Sequence, residues 1–228
     1  FYYIDAEDGV LYECKAKGIF RNKKIKPLVG DNVNIEILDA ENNLGNIVEI
    51  LPRFNSLIRP AVANVDQTII IFAVSEPEPN FNLLDRFLVS MEKSGVKTVI
   101  CFNKLDLSAE NMDVCRSYGK SGYRTLFISA KNDEGIDELK EIIRDKTTVF
   151  AGPSGVGKSS TLNAIKPDAE AQTGAVSDKI KRGKHTTRHS ELMHISGNTY
   201  IMDTPGFSSL YVDSIEPDDL KEYFPDIA

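Results

Sequence analysis

Cysteine is scarce in this chain, with three in 228 residues. Cys14, Cys101 and Cys115 are odd in number, far apart and form no C-x-x-C pair. A disulfide framework and a zinc site built from them are both poor readings. They read as reduced thiols of a cytoplasmic protein, with Cys101 buried in a strand. Long apolar runs are lacking too. The longest, Ile69 to Val74, has the length of a strand and falls far short of the roughly 18–20 residues of a membrane span, so no membrane partner is expected. There is no secretory signal pattern, no internal repeat and no low-complexity segment. Phe1 is not a start methionine, and the true N-terminus is expected to lie upstream of it.

Apolar residues make up 41% and charged residues 27%, enough to bury a sizeable core and to exclude wholesale disorder. The length allows one large domain, or one small and one medium domain; a monomer is expected. The net charge of −7 argues against a protein that simply coats nucleic acid, but the charge is uneven. Lys15, Lys17, Arg21, Lys23, Lys24 and Lys26 form a basic run without an acid, and Lys179–His189 holds Lys179, Lys181, Arg182, Lys184 and Arg188 with His185 and His189. The segment Asp213–Asp226 is acidic. Local patches, rather than the total, decide what a surface attracts.

Residues 1–58 read as short strands: Gly9–Ala16 after the turn at Asp8-Gly9, Asp31–Ile37 after Val29-Gly30, and Gly45–Ile50 closed by Pro52. Short strands, tight turns and almost no helix predict a small all-β barrel. An OB-fold leads and an SH3-like barrel stays open. From residue 59 the pattern changes. Thr68–Val74 is a continuous apolar strand, and Asn82–Ser94 an amphipathic helix capped by Asn82 and stopped by Gly95. Strands at Lys97–Phe102 and Arg124–Ser129, a helix at Gly135–Arg144 and a strand at Thr147–Ala151 follow. This alternation predicts an α/β domain with a parallel sheet and helices on both faces over residues 59–212.

The strand Thr147–Ala151 runs into Gly152-Pro153-Ser154-Gly155-Val156-Gly157-Lys158-Ser159, which matches G-x-x-x-x-G-K-[ST] and precedes the helix-compatible run Ser160–Ile165. Glycines let backbone N–H groups turn inward around phosphate oxygens, Lys158 reaches the β- and γ-phosphates, and the Ser159 hydroxyl ligates Mg²⁺. Asn103-Lys104-Leu105-Asp106 ends the strand Lys97–Phe102, where open α/β sheets bind ligands. A carboxylate there accepts from N1–H and the 2-amino group of guanine, a donor pair that adenine lacks. Ser129-Ala130-Lys131 also ends a strand and offers a backbone N–H to guanine O6. Asp203-Thr204-Pro205-Gly206 ends the strand Tyr200–Met202 and matches D-x-x-G, with Asp203 holding Mg²⁺ through water and the Gly206 N–H meeting the γ-phosphate. Thr186 or Thr187, in the basic segment before it, can close on Mg²⁺ and the γ-phosphate as a switch; Thr187 is the assigned member. GTP is the expected substrate and Mg²⁺ the cofactor. An ATPase is the competing enzyme, disfavoured by Asp106, and a GTP-dependent switch acting on some other RNA or protein remains open.

These motifs are those of translation-factor and Ras-type GTPases, but Asn103 and Ser129 precede Gly152, so the order is circularly permuted. The order, the β domain in front and the string Arg182-Gly183-Lys184-His185-Thr186-Thr187-Arg188 closely resemble the ribosome small subunit-dependent GTPase A (RsgA) family. The resemblance covers essentially the whole chain. It implies an N-terminal OB-fold, a permuted GTPase core and a role in late maturation of the bacterial small ribosomal subunit, which stimulates hydrolysis. rRNA contacts are expected from Lys15, Lys17, Arg21, Lys23, Lys24, Lys26, Lys181, Arg182 and Lys184. Family members end in a zinc domain with a Cys/His cluster. Residues 213–228 are expected to lead into it, with zinc bound only beyond this chain. Phe207 stands where many GTPases carry a water-orienting glutamine, and an apolar residue cannot do that work. His185, beside the switch threonines, is the substitute in sequence terms.

Overall fold

The computed structural model describes residues 1–18, 20, 25–58, 60–107, 110–166, 191–204 and 223. They fall into two units, Phe1–Asn64 and Val65–Ala228.

In the first unit, β1 (Tyr2–Asp5), β2 (Leu11–Ala16), β3 (Val33–Asp39) and β4 (Leu44–Ile50) form one sheet in the order β1-β2-β4-β3. Only β2 and β4 pair in parallel. Alternation sorts the faces: Tyr12 and Cys14 of β2 and Ile47 of β4 point inward with Phe20, while Glu13, Lys15 and Glu36 alternate with them. Gly45 is required where β4 passes β2 and β3, because a Cβ there would stand 3.0 Å from both Cys14 Sγ and the Glu36 carbonyl oxygen. The strand β1 was not anticipated from sequence. The hairpin β5 (Ser56–Leu57) and β6 (Val62–Ala63) joins this unit through a bridge from Val62 to Val29. The Arg53 guanidinium grips Asp31 with two bonds, Nε at 2.6 Å and Nη2 at 2.8 Å.

The second unit runs β7 (Gln67–Ala73), α1 (Phe81–Ser94), β8 (Lys97–Asn103), α2 (Met112–Ser117), a 3₁₀ turn (Tyr118–Lys120), β9 (Arg124–Phe127), α3 (Ile136–Ile143), β10 (Thr147–Ala151), α4 (Lys158–Ile165), β11 (Glu191–Ser196) and β12 (Thr199–Asp203). Its sheet has the order β11-β12-β10-β7-β8-β9. Five strands are parallel, and β11 adds an antiparallel edge to the parallel sheet expected from sequence. Every residue of β7 is buried, which is why its Ile69–Ala73 stretch reads as an unbroken apolar run. Ile69 and Ile71 pack with Leu139 and Ile143 of α3 and Leu162 of α4. On the other face Phe72 meets Phe87 of α1 edge-on, with centroids 6.5 Å apart. The cap of α1 is Asn80, not Asn82: its side chain accepts from Leu83 N at 3.0 Å, and Gly95 closes the helix at φ +65°. All three cysteines are buried and free, and burial pushes the Cys101 thiol up to about 12. No helix among the described residues is long and apolar enough to cross a membrane.

Candidate functional site

The parallel strands bring their C-terminal ends to one edge of the sheet, where the loops after β7, β8, β9, β10 and β12 gather. The loop from β10 to α4 passes so close to β7 that a Cβ on Gly152 would lie 2.1 Å from the Ile71 carbonyl oxygen. Gly157, at φ +95°, starts α4, and a Cβ on it would lie 2.4 Å from Asn103 Nδ2. Positive φ without a Cβ is what lets such a loop curl its N–H groups inward. Lys158 is buried, and its ammonium donates to the carbonyls of Gly152 at 2.9 Å and Pro153 at 2.7 Å. Burial holds its pKa below the usual lysine value, partly opposed by the Asp203 carboxylate. The lysine thus spans the loop it belongs to.

Asn103, at the end of β8, is 2% exposed. Its amide Nδ2 donates to the Val156 carbonyl at 3.0 Å, and its Oδ1 accepts from Ala130 N at 3.1 Å. One side chain therefore ties the glycine-rich loop to the Ser129-Ala130-Lys131 loop. Lys104 follows at φ +68°, with its ammonium on the Glu76 carbonyl. The Asp106 carboxylate accepts from Ser129 Oγ at 2.7 Å and lies 3.4 Å from Lys131 Nζ. The Ser129 hydrogen bond, more than Lys131, holds its pKa below the usual carboxylate range. Ser129 N bonds the Glu134 carbonyl and Ala130 N bonds Asn103. Within Ser129-Ala130-Lys131 only the Lys131 N–H has no partner among the described residues.

Asp203 ends β12 in register with Phe150, two residues before the glycine-rich loop. Burial raises its pKa and the Lys158 charge opposes the shift. Thr204 anchors the following turn by donating from Oγ1 to the Phe150 carbonyl at 2.7 Å.

Asn103, Lys104, Asp106, Ser129, Ala130, Lys131, the loop from Gly152 through Pro153, Ser154, Gly155, Val156 and Gly157 to Lys158, Ser159 and Ser160, and Asp203 therefore all lie at this edge. Thr186, Thr187, His185, Gly206, Phe207, Lys181, Arg182, Lys184, Arg21, Lys23 and Lys24 lie outside the described residues. In the first unit Lys17 is paired with Glu36 at 2.6 Å, and Lys15 Nζ stands 5.2 Å from the centre of the Phe1 ring.

Sequence reasoning missed three participants. Thr161, buried one turn into α4, donates to the Gly157 carbonyl at 2.9 Å and stands 3.5 Å from Asn103 Nδ2; its spacing from Lys158 was the available signal. The Glu76 carbonyl that receives Lys104 leaves no trace in sequence. Glu191 is the direct cross-strand partner of Asp203, so two carboxylates share one face at the sheet edge. Both desolvation and the Asp203 charge push the Glu191 pKa up.

Comparison with known proteins agrees with this geometry. The model of the RsgA GTPase family matches residues 50–213, and that of the RsgA N-terminal domain matches residues 1–47. The small ribosomal subunit biogenesis GTPase RsgA of Agathobacter rectalis is 53% identical, over 99% of this chain and 79% of that protein. That of Alkaliphilus metalliredigens is 49% identical, over 99% and 78%. The crystal structure of YjeQ from Thermotoga maritima superposes with a TM-score of 0.75 at 38% identity, covering 96% of this chain and 74% of that one. YloQ, described as a circularly permuted GTPase, gives 0.72 at 40% identity, covering 100% and 75%.

Proposed function

The chain belongs to the RsgA GTPase family, and on that premise we propose that its GTP hydrolysis serves late maturation of the small ribosomal subunit, which stimulates the reaction. The observation that carries the nucleotide reading is the Asn103 tie, which holds the phosphate loop and both base-side loops in one arrangement. In this reading Asp106, kept ionised by Ser129, accepts from guanine, and the Lys131 N–H donates to O6. Lys158 leaves the Gly152 and Pro153 carbonyls for the β- and γ-phosphates.

The donors fit a hard divalent cation: the Ser159 hydroxyl opens α4, and the Asp203 carboxylate ends β12 beside the strand that feeds the loop. Thr187 joins them from the switch segment. Mg²⁺ bound there supplies charge neutralisation at the β- and γ-phosphates. The chain's own work is to orient the nucleotide, donate from Lys158 and the loop N–H groups, and present a water in line. His185 is assigned to that water in the place of the absent glutamine.

The domain scheme is an rRNA-facing β domain over 1–58 and a permuted GTPase domain over 59–212. An OB-type barrel for the first is supported by its parallel β2–β4 pair, which a simple meander of hairpins lacks. Lys15, Lys17, Arg21, Lys23, Lys24 and Lys26 of the β domain, with Lys181, Arg182 and Lys184 of the switch segment, are the rRNA contacts. GTP turnover measured with and without purified small subunits tests the whole reading. Stimulation of at least ten-fold, lost in His185→Ala with GTP affinity and subunit binding intact, is expected. Turnover indifferent to the subunit overturns the ribosomal assignment. Undiminished stimulation in His185→Ala removes only the histidine.

A further inference from the structure

β11 opens with Glu191, four positions after Thr187 in the chain. Its direct partner across the antiparallel pair is Asp203, and the register continues with Leu192 opposite Met202 and Met193 opposite Ile201. Side chains alternate along a strand, so Glu191 shares a face with Met193, and Asp203 shares one with Ile201. Ile201 lies in the core cluster that holds Leu162 and Ile165 of α4, and Met193 packs against it. The two carboxylates therefore stand on the α4 side of the sheet. They stand at the end where β10 runs into the glycine-rich loop and where Lys158 and Ser159 begin α4.

Like charges directly opposite each other destabilise a strand pair unless something positive stands beside them. Neither carboxylate has an ion-pair partner among the described residues. Lys158 is the cation whose charge reaches Asp203, but its ammonium is held by the Gly152 and Pro153 carbonyls. When Lys158 turns to the phosphates of a bound nucleotide, the pair keeps no protein cation of its own. A divalent cation supplies that compensation. Mg²⁺ sheds its waters reluctantly and is held by one or two carboxylates with several waters retained. Glu191 is exposed, so it faces the water around Asp203.

We propose that Glu191 is a positioning residue for Mg²⁺: its carboxylate accepts from a water of the cation's shell beside Asp203 and adds a second negative charge opposite the cation. The proposal rests on the reading of Asp203, Ser159 and Thr187 as the Mg²⁺ donors. It extends that site to the antiparallel edge strand, outside both the phosphate loop and D-x-x-G. Groups one layer out from a metal are worth about 10–100-fold in its affinity. A basic side chain of a partner is the competing neighbour for Glu191, and it would need no metal.

The full chain titrated with a non-hydrolysable GTP analogue at rising Mg²⁺, and again in EDTA, tests this without turnover. Glu191→Gln should raise the Mg²⁺ concentration that half-maximally tightens nucleotide binding by about ten-fold. Its affinity in EDTA should equal or exceed that of the wild type. Glu191→Asp, which keeps a carboxylate, should recover part of the shift. An unshifted Mg²⁺ midpoint in Glu191→Gln overturns the proposal, as does a Glu191→Asp variant no better than Glu191→Gln. A matching loss of affinity in EDTA overturns it too, because that is a defect of the fold. So does a shift that vanishes at about 1 M KCl, where the Debye length is about 3 Å, because that is a field and not a contact. The wild-type chain separates the two levels. If it responds to Mg²⁺ and Glu191→Gln responds identically, Glu191 alone is removed; if wild-type affinity ignores Mg²⁺, the underlying metal reading fails with it.

Discussion

Asn103 and Asp106 stand three positions apart, yet they do opposite things. Asn103 spends its amide inside the protein, and Asn103→Ala would leave the Val156 carbonyl and the Ala130 N–H without partners. A buried unpaired group costs roughly 1–3 kcal/mol. Chemical denaturation of the nucleotide-free variant should therefore show a loss of about 2 kcal/mol; unchanged stability would mean the tie is slack. Asp106 keeps its second oxygen near solvent-facing Lys131, and Asp106→Asn should exchange GTP for XTP preference, read by competition binding. A preference still for GTP would remove Asp106 from base reading. The sign of its pH dependence follows from its lowered pKa. A depressed carboxylate adds stability above its unfolded value and loses it as pH falls through the folded one. GTP affinity should thus persist to more acidic pH than an unperturbed aspartate would allow, and Ser129→Ala should move the acid limb upward. Identical acid limbs would show that Ser129 does not hold the charge.

At the level of elements, the loop after β10 and the strand pair β11–β12 each carry stored cost. Gly157→Ala would drive a methyl group into Asn103 and force a left-handed φ on alanine, a strain of roughly 1–3 kcal/mol. The base-side loop should shift with it, so guanine nucleotide affinity should fall at least ten-fold; wild-type affinity would mean that the loops are not coupled. Across β11–β12, Glu191 faces Asp203 with like charge. Burial raises both pKa values, and the Asp203 charge raises that of Glu191 further, so the repulsion is absent at acid pH and grows as pH rises through the folded values. Glu191→Gln should raise the stability of the Mg²⁺-free protein at pH 7 by about 0.5 kcal/mol, and by nothing measurable near pH 3. An equal gain at both pH values would point to packing in place of charge.

The whole molecule is acidic, at −7, yet is assigned an anionic partner. Local patches resolve the conflict: opposite faces contribute little beyond a Debye length of about 8–10 Å at physiological salt. Subunit association should then fall steeply with ionic strength, while GTP affinity, set by short contacts in the glycine-rich loop, should change little. Charge reversal at Lys15 with Lys26 should flatten that salt slope by about two. A slope unchanged by the double reversal would move the interface off the N-terminal unit.

The residue string alone pointed to a circularly permuted GTPase. Gly152 to Ser159, Asn103 to Asp106 and Asp203 to Gly206 are patterns of contiguous residues, and their order announced the permutation. Strand and helix existence was equally legible wherever burial was one-sided or complete, as in β7 and α1. Boundaries and caps were not: Asn80, whose side chain reaches Leu83 N, takes the cap from Asn82. Only the tertiary structure decided what Asn103 holds, which N–H of Ser129-Ala130-Lys131 is left over, and that Glu191 faces Asp203. Asn103 reaches across from β8 to loops after β9 and β10, and the Glu191–Asp203 pairing depends on the register of the β11–β12 hairpin. Hydrogen bonding and charge act through space, and sequence periodicity carries no record of which strands become neighbours.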